Sequence, residues 1–235
     1  MWAILSGIEG NLVAYEAVLA DIKRQRIPVE DLFVLGDVVA ANADSEEVVR
    51  RIQNPLPGEL KPQVCLGWWE EQCFALHGFG STAEPMELIE RFGKETVKHL
   101  WDSVSRETVQ WLRGCHFGFF ELDCLLIHGS SVGASDELTP ETEPWQMLDR
   151  LQRVQANSLF CGRSGLAFEY QLQEGSVESS VMSLERQQSP QTMTVSKRRI
   201  VGVGNVGRTW GKATYTLYEP YVDRLEFKTV GYSNI

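Results

Sequence analysis

The chain opens with Trp2-Ala3-Ile4-Leu5-Ser6-Gly7-Ile8-Glu9-Gly10-Asn11, WAILSGIEGN in one-letter code. Four apolar residues, Trp2 to Leu5, run straight into a turn of small residues, which is the pattern of a short buried strand. Asn11 is a good helix N-cap. The apolar positions that follow, Leu12, Tyr15, Val18, Leu19 and Ile22, have helical spacing. Strand, turn and helix in this order form the first unit of an α/β fold. In open α/β sheets, ligands bind beyond the carboxyl ends of the strands. This turn therefore sits where chemistry is expected, yet Gly7 has no side chain and Glu9 is the single carboxylate.

The same design recurs along the chain. Leu32 to Leu35 ends in Gly36-Asp37, and Val64 to Leu66 ends in Gly67-Trp68-Trp69-Glu70. Cys124 to Ile127 ends in His128-Gly129, and Leu159 to Cys161 ends in Gly162-Arg163-Ser164-Gly165. A lone Asp after a strand is commonly a cap, and a lone His is commonly a satisfied core residue. Recurrence at five successive strand ends carries more weight than any one residue. The chemistry-bearing candidates are Glu9, Asp37, Trp68, Trp69, Glu70, His128 and Arg163.

Between these strands the spacing predicts helices over Glu46 to Ile52, much of 69–113 (Met86 to Phe92, Val97 to Trp101, Glu107 to Leu112) and Trp145 to Gln155. After Gly162 consecutive strands dominate: Ala167 to Gln173, Ser176 to Leu184, Thr192 to Val195, Ile200 to Val203, Ala213 to Tyr218 and Arg224 to Val230. Alternating α/β giving way to antiparallel strands is compatible with two sheets packed face to face with helices outside. One domain over 1–235 is expected at this length. The long polar stretch 175–199 reads as a mobile insertion or hairpin.

The net charge of −10 argues against duplex nucleic acid, which needs clustered Lys and Arg. Lys197-Arg198-Arg199, the one dense basic run, reads as a solvated strand edge. No segment has the ~18 apolar residues of a membrane span. The start of the chain lacks the basic and apolar regions of a signal peptide. Five cysteines without a C-x-x-C pair suggest buried free thiols in a reducing compartment. A cytoplasmic location is expected.

The strand-end blocks resemble those of the calcineurin-like metallophosphoesterases, in particular the small bacterial phosphodiesterase branch. That family carries D-x-H-G-N, G-D, G-N-H-D/E, H-G or H-A, G-H-T-H and a late N-P-G-S-V-G turn. Here these read Gly7-Ile8-Glu9-Gly10-Asn11, Gly36-Asp37, Gly67-Trp68-Trp69-Glu70, His128-Gly129, Gly162-Arg163-Ser164-Gly165 and Gly202-Val203-Gly204-Asn205-Val206-Gly207. The resemblance implies an α/β, four-layer α-β-β-α sandwich of two mixed sheets and a two-metal hydrolase site.

The ligand positions the resemblance assigns are mostly altered. Gly7, Glu9 and Gly165 stand at the first metal's Asp, His and His. Asp37 matches the bridging Asp. Trp68 and Arg163 stand at the second metal's Asn and His, while His128 matches its other His. Trp69 replaces the His that steadies the phosphate, and Glu70 falls at a supporting position. Two or three ligands cannot hold two metals. The resemblance thus implies an inactive pseudo-phosphoesterase, a hydrolase fold acting by binding a protein or a phosphate-containing ligand without a cofactor. Two buried carboxylates without metals need another partner, and Arg163 is expected to pair with Glu9 and Asp37 while Trp68 and Trp69 fill the vacated volume. Arg163 and Arg208 are alternatively anion-binding residues. The competing expectation keeps an enzyme, with one Mn, Fe or Zn on Glu9, Asp37 and His128. Homo-oligomerisation is compatible with this family.

Overall fold

The computed structural model describes residues 1–79, 86–172, 175–179, 191–195 and 198–233; in the 175–179 and 191–195 segments it describes backbone only. The strands are β1 (Trp2–Leu5), β2 (Asp31–Leu35), β3 (Gln63–Cys65), β4 (Gly118–Glu121), β5 (Cys124–Ile127), β6 (Ser158–Cys161), β7 (Ala167–Leu172), β8 (Gly175–Ser179), β9 (Gln191–Val195), β10 (Arg198–Val203), β11 (Lys212–Glu219) and β12 (Arg224–Gly231). The helices are α1 (Leu12–Ile22), α2 (Ser45–Gln53), α3 (Trp68–Leu76), α4 (Met86–Ser103), α5 (Arg106–Leu112) and α6 (Pro144–Gln152).

Two five-stranded mixed sheets hold the molecule, in the orders β12-β11-β1-β2-β3 and β4-β5-β6-β10-β7. Each has three parallel strands flanked by antiparallel pairing: β1, β2 and β3 in the first, β5, β6 and β10 in the second. Strand β1 is buried along its whole length, as parallel strands covered on both faces must be. Its side chains alternate between two cores. Trp2 and Ile4, with Phe33, Leu35 and Cys65, face Leu126, Phe160, Val201 and Val203 between the sheets. Ala3 and Leu5 face the other way, onto Ala14, Tyr15 and Val18 of α1. On the far side of the second sheet, Leu125, Ile127, Leu159 and Ile200 pack on Met147 and Leu151 of α6. The layers run α-β-β-α, as expected from the sequence.

Local departures have local causes. The two amphipathic segments expected over Met86 to Phe92 and Val97 to Trp101 lie in α4, broken where Gly93 takes φ 81°, ψ 171°. Strands β8 and β9 pair as an antiparallel hairpin, and the rest of the expected insertion lies largely outside the described residues. Arg199 is not a solvated edge residue. It is buried, its guanidinium lies 4.9 Å from the Tyr218 ring centre, and it pairs with Glu169 and Asp223. No described helix is long and apolar enough to cross a membrane.

Candidate functional site

The ends of the parallel strands from both sheets meet at one edge of the sandwich. The turn after β1 is zipped to the turn after β2: Glu9 N–H donates to the Asp37 carbonyl at 2.8 Å and Gly10 N–H to the Val38 carbonyl at 2.9 Å. Gly207 N–H, from the loop after β10, donates to the Gly7 carbonyl at 2.7 Å. Arg163 N–H, after β6, donates to the His128 carbonyl at 2.8 Å. Glu9 and Asp37 both have φ of 52°, a left-handed conformation that non-glycine residues adopt at a cost and that clusters at functional sites.

Asp37 is fully buried and lies at the centre. Its Oδ1 accepts from Trp69 N–H at 2.8 Å, and its Oδ2 accepts from Arg208 Nη2 at 2.9 Å. His128 Nε2 lies 3.2 Å from the same Oδ2, while His128 Nδ1 is 2.7 Å from the Leu35 carbonyl oxygen. That carbonyl can only accept, so Nδ1 carries a proton. A neutral ring would then turn its Nε2 lone pair toward a carboxylate, which favours imidazolium. Burial opposes charge on His128, but Asp37 outweighs it and the imidazole pKa is raised. Burial likewise works against ionised Asp37, yet His128, Arg208 and the Trp69 N–H bring its pKa down to about 2.

Glu70, expected in a supporting role, clamps this turn from below. Its two buried oxygens accept from Gly67 N–H at 2.7 Å, Asp37 N–H at 2.8 Å, Val38 N–H at 2.8 Å and Val39 N–H at 3.1 Å. Burial, followed by repulsion from Asp37, pushes its carboxyl up to about 7 in spite of those donors.

Arg208 is the partner of the two carboxylates. Nε donates to Glu9 Oε1 at 2.5 Å, Nη2 to Asp37, and Nη1 to the Arg163 carbonyl at 2.9 Å. Burial raises the Glu9 pKa, with Arg208 pulling against it. The expected pairing of Arg163 with Glu9 and Asp37 is overturned: Arg163 makes no ion pair with either. Arg163 instead lies over Trp68, its guanidinium carbon 4.6 Å from the ring centre. It is 7% exposed, and its Nε and Nη2 have no hydrogen-bond partner. The reason is geometric. The loop after β10 aims Arg208 into the carboxylates, and Arg163 turns away onto an aromatic face. Arg208 commits one donor from each of its three nitrogens to these contacts, whereas Arg163 keeps two nitrogens without a partner.

Trp68 and Trp69 are buried, with ring centres 5.0 Å apart, and both pack on Phe92 at 5.9 and 5.4 Å. They fill volume, and neither forms an exposed platform. Edge-to-face packing of this kind suits aromatic quadrupoles.

A pair of divalent ions needs several oxygen or nitrogen donors each. Among the described residues, no three His, Cys, Asp or Glu side chains come together as a metal site. His128 and Asp37 face one another, but the Arg208 guanidinium bridges Asp37 to Glu9. The donor set does not fit a two-metal centre, and a single ion on Glu9, Asp37 and His128 would have to displace a guanidinium.

Sequence reasoning named Glu9, Asp37, His128, Arg163, Trp68 and Trp69, and the structure brings all of them to this edge. It undervalued Arg208, whose signal was a cationic side chain directly after the Gly202–Gly207 turn.

No family model and no curated protein matches the chain by sequence. Solved structures do match in fold. A metallophosphoesterase from Sphaerobacter thermophilus superposes with a TM-score of 0.67 at 21% identity, covering 99% of this chain and 88% of that one. The hypothetical protein PH1004 from Pyrococcus horikoshii OT3 gives 0.67 at 17% identity, covering 99% and 89%. With two face-packed mixed sheets, outer helices and a polar cluster at the parallel strand ends, the chain has the calcineurin-like metallophosphoesterase fold.

Proposed function

We propose that this protein uses a phosphoesterase fold to hold a phosphate-bearing ligand without hydrolysing it. The observation that carries the proposal is Arg208 on Glu9 and Asp37. A two-metal phosphoesterase uses its ions to clamp the phosphate and lower the pKa of the attacking water. With the bridging carboxylate bound by a guanidinium, no described group lowers that pKa. Binding is supported by Arg163, a permanent cation with two unpartnered nitrogens beside the same edge. A guanidinium offers a planar fork that matches phosphate oxygens. Because Arg208 neutralises the carboxylates, Arg163 is not required for that task. The alternative, a one-metal phosphoesterase on Glu9, Asp37 and His128, requires Arg208 to leave both carboxylates.

The test pairs turnover with binding. Bis-p-nitrophenyl phosphate and p-nitrophenyl phosphate are assayed with added Mn²⁺, and inorganic phosphate is titrated calorimetrically into the wild type and Arg163→Met. The expected result is no Mn²⁺-dependent turnover, with phosphate heat in the wild type that disappears in Arg163→Met. Mn²⁺-dependent turnover overturns the non-hydrolytic part; equal heats in both proteins overturn the role of Arg163.

A further inference from the structure

We infer that the Arg208 guanidinium is the site's resident cation, a side-chain replacement for a divalent ion, and that Gly165 is the residue that admits it. The inference goes beyond the non-hydrolytic proposal, since it concerns what holds the site together and is read from stability and metal uptake, not turnover.

Three observations converge. First, the guanidinium reaches two carboxylates from separate turns, Glu9 after β1 and Asp37 after β2. That is the bridging task a metal would perform. Second, its path is shaped by a missing side chain. A Cβ built on Gly165 would lie 2.6 Å from Arg208 Nη1 and 3.3 Å from Cδ and Cζ, and one built on Gly7 would lie 3.5 Å from Nε. A side chain at Gly165 would collide with the guanidinium, whereas at Gly7 the Cβ would meet Asn205 Cβ first, at 3.3 Å, and be only in ordinary contact with Arg208. Third, the delivering loop is fixed on both sides. Asn205 Oδ1 accepts from Arg208 N–H at 3.2 Å, and Asn205 Nδ2 donates to the Gly165 carbonyl at 2.8 Å. A floppy surface arginine would not be held this way.

Removing the guanidinium would leave Glu9, Asp37 and His128 around an uncompensated space, with Gly7 and Gly165 leaving room for water. Two buried carboxylates with only the His128 imidazolium, beside one of them, are costly. A divalent ion added from solution would then be stabilising.

The test uses the full chain as wild type, Arg208→Gln and Arg208→Lys. Melting temperatures are read in EDTA and in excess Mn²⁺, with metal content by mass spectrometry after desalting. The wild type is expected to show no Mn²⁺ shift. Arg208→Gln should melt about 10 °C lower in EDTA and recover part of that in excess Mn²⁺. Arg208→Lys, which keeps the charge, should show little Mn²⁺ response and guards against misreading a general folding defect. The inference is overturned if Arg208→Gln melts with the wild type in EDTA, if it gains nothing from Mn²⁺, or if the wild type itself is raised by Mn²⁺.

Discussion

Arg208 Nη2 donates to Asp37 Oδ2 at 2.9 Å, although 171 residues separate the two in the chain. Asp37 follows β2 of one sheet, and Arg208 lies in the loop that carries the chain from β10 of the other sheet into β11. The ion pair therefore sits at the junction of the two sheets, and the carboxylate it engages is the one that the resemblance assigns to metal bridging. A buried carboxylate bound in this way is stable as an ion.

Gly165→Ala is expected to destabilise more than its backbone conformation alone explains. Gly165 has φ of +70°, and its added Cβ would meet Arg208 Nη1 at 2.6 Å. Gly58, with φ of +83° and nothing within 4 Å of an added Cβ, is the control for left-handed strain. Urea unfolding should place Gly165→Ala about 1–2 kcal/mol below Gly58→Ala. Equal losses would show that the close approach to Arg208 has no energetic weight.

Arg163→Met is expected to leave stability unchanged or raise it by about 1–3 kcal/mol. An unpaired buried cation is a cost that a similar-sized apolar side chain removes, and Met can still pack on Trp68. The same change should abolish phosphate binding, giving the opposed effects on stability and function of a residue kept for binding. A loss above about 2 kcal/mol in denaturant unfolding would mark Arg163 as structural.

The Asp37–His128 pair predicts a specific pH profile. Asp37 falls from an ordinary 3.8 to about 2 in the folded chain, so its contribution is present above 3.8 and is lost as pH drops through 2. His128 is raised above 6.5, so its contribution is full below 6.5 and is lost as pH climbs through the folded value. The pair contributes most between those limits. Urea midpoints measured from pH 5 to 9 should decline more steeply on the alkaline side in the wild type than in His128→Gln. Parallel profiles would contradict an imidazolium partner.

Glu70→Gln should cost about 2–3 kcal/mol in thermal or urea unfolding, because the amide nitrogen replaces one carboxylate oxygen and cannot accept from that oxygen's two backbone donors, Gly67 and Asp37 or Val38 and Val39. The loosened turn should also shift the fluorescence of Trp69, whose N–H holds Asp37 Oδ1. A variant within 0.5 kcal/mol of wild type, about the scatter of neutral surface changes, would mean the clamp is dispensable.

The layered fold was legible because its signals are local. Trp2 to Leu5 is a four-residue apolar run, Gly36-Asp37 and Gly67-Trp68 close their strands, and Asn11 caps α1 through its side chain on Ala14 N–H. The membership of the site was legible too, since parallel strands deliver their carboxyl ends to one edge. The pairing within it was not. Arg163 and Arg208 carry the same charge, and no spacing rule decides which reaches Glu9. The decision rests on loop geometry fixed by Asn205 and on the Trp68 face that draws Arg163 aside. Arg199 was misread for the same reason. Its partners Glu169 and Asp223 are distant in sequence, so a basic run looked solvated.

The most direct test of the account is the metal content of the untagged wild-type protein after incubation with excess Mn²⁺ and desalting, measured by mass spectrometry with a phosphodiesterase assay on the same sample. The account predicts less than about 0.1 ion per chain, since the described residues form no cluster of three His, Cys, Asp or Glu side chains fit for a metal, and no turnover above the buffer rate. Two ions per chain, or Mn²⁺-dependent hydrolysis, would contradict it, because neither can coexist with Arg208 bound to Asp37 and Glu9.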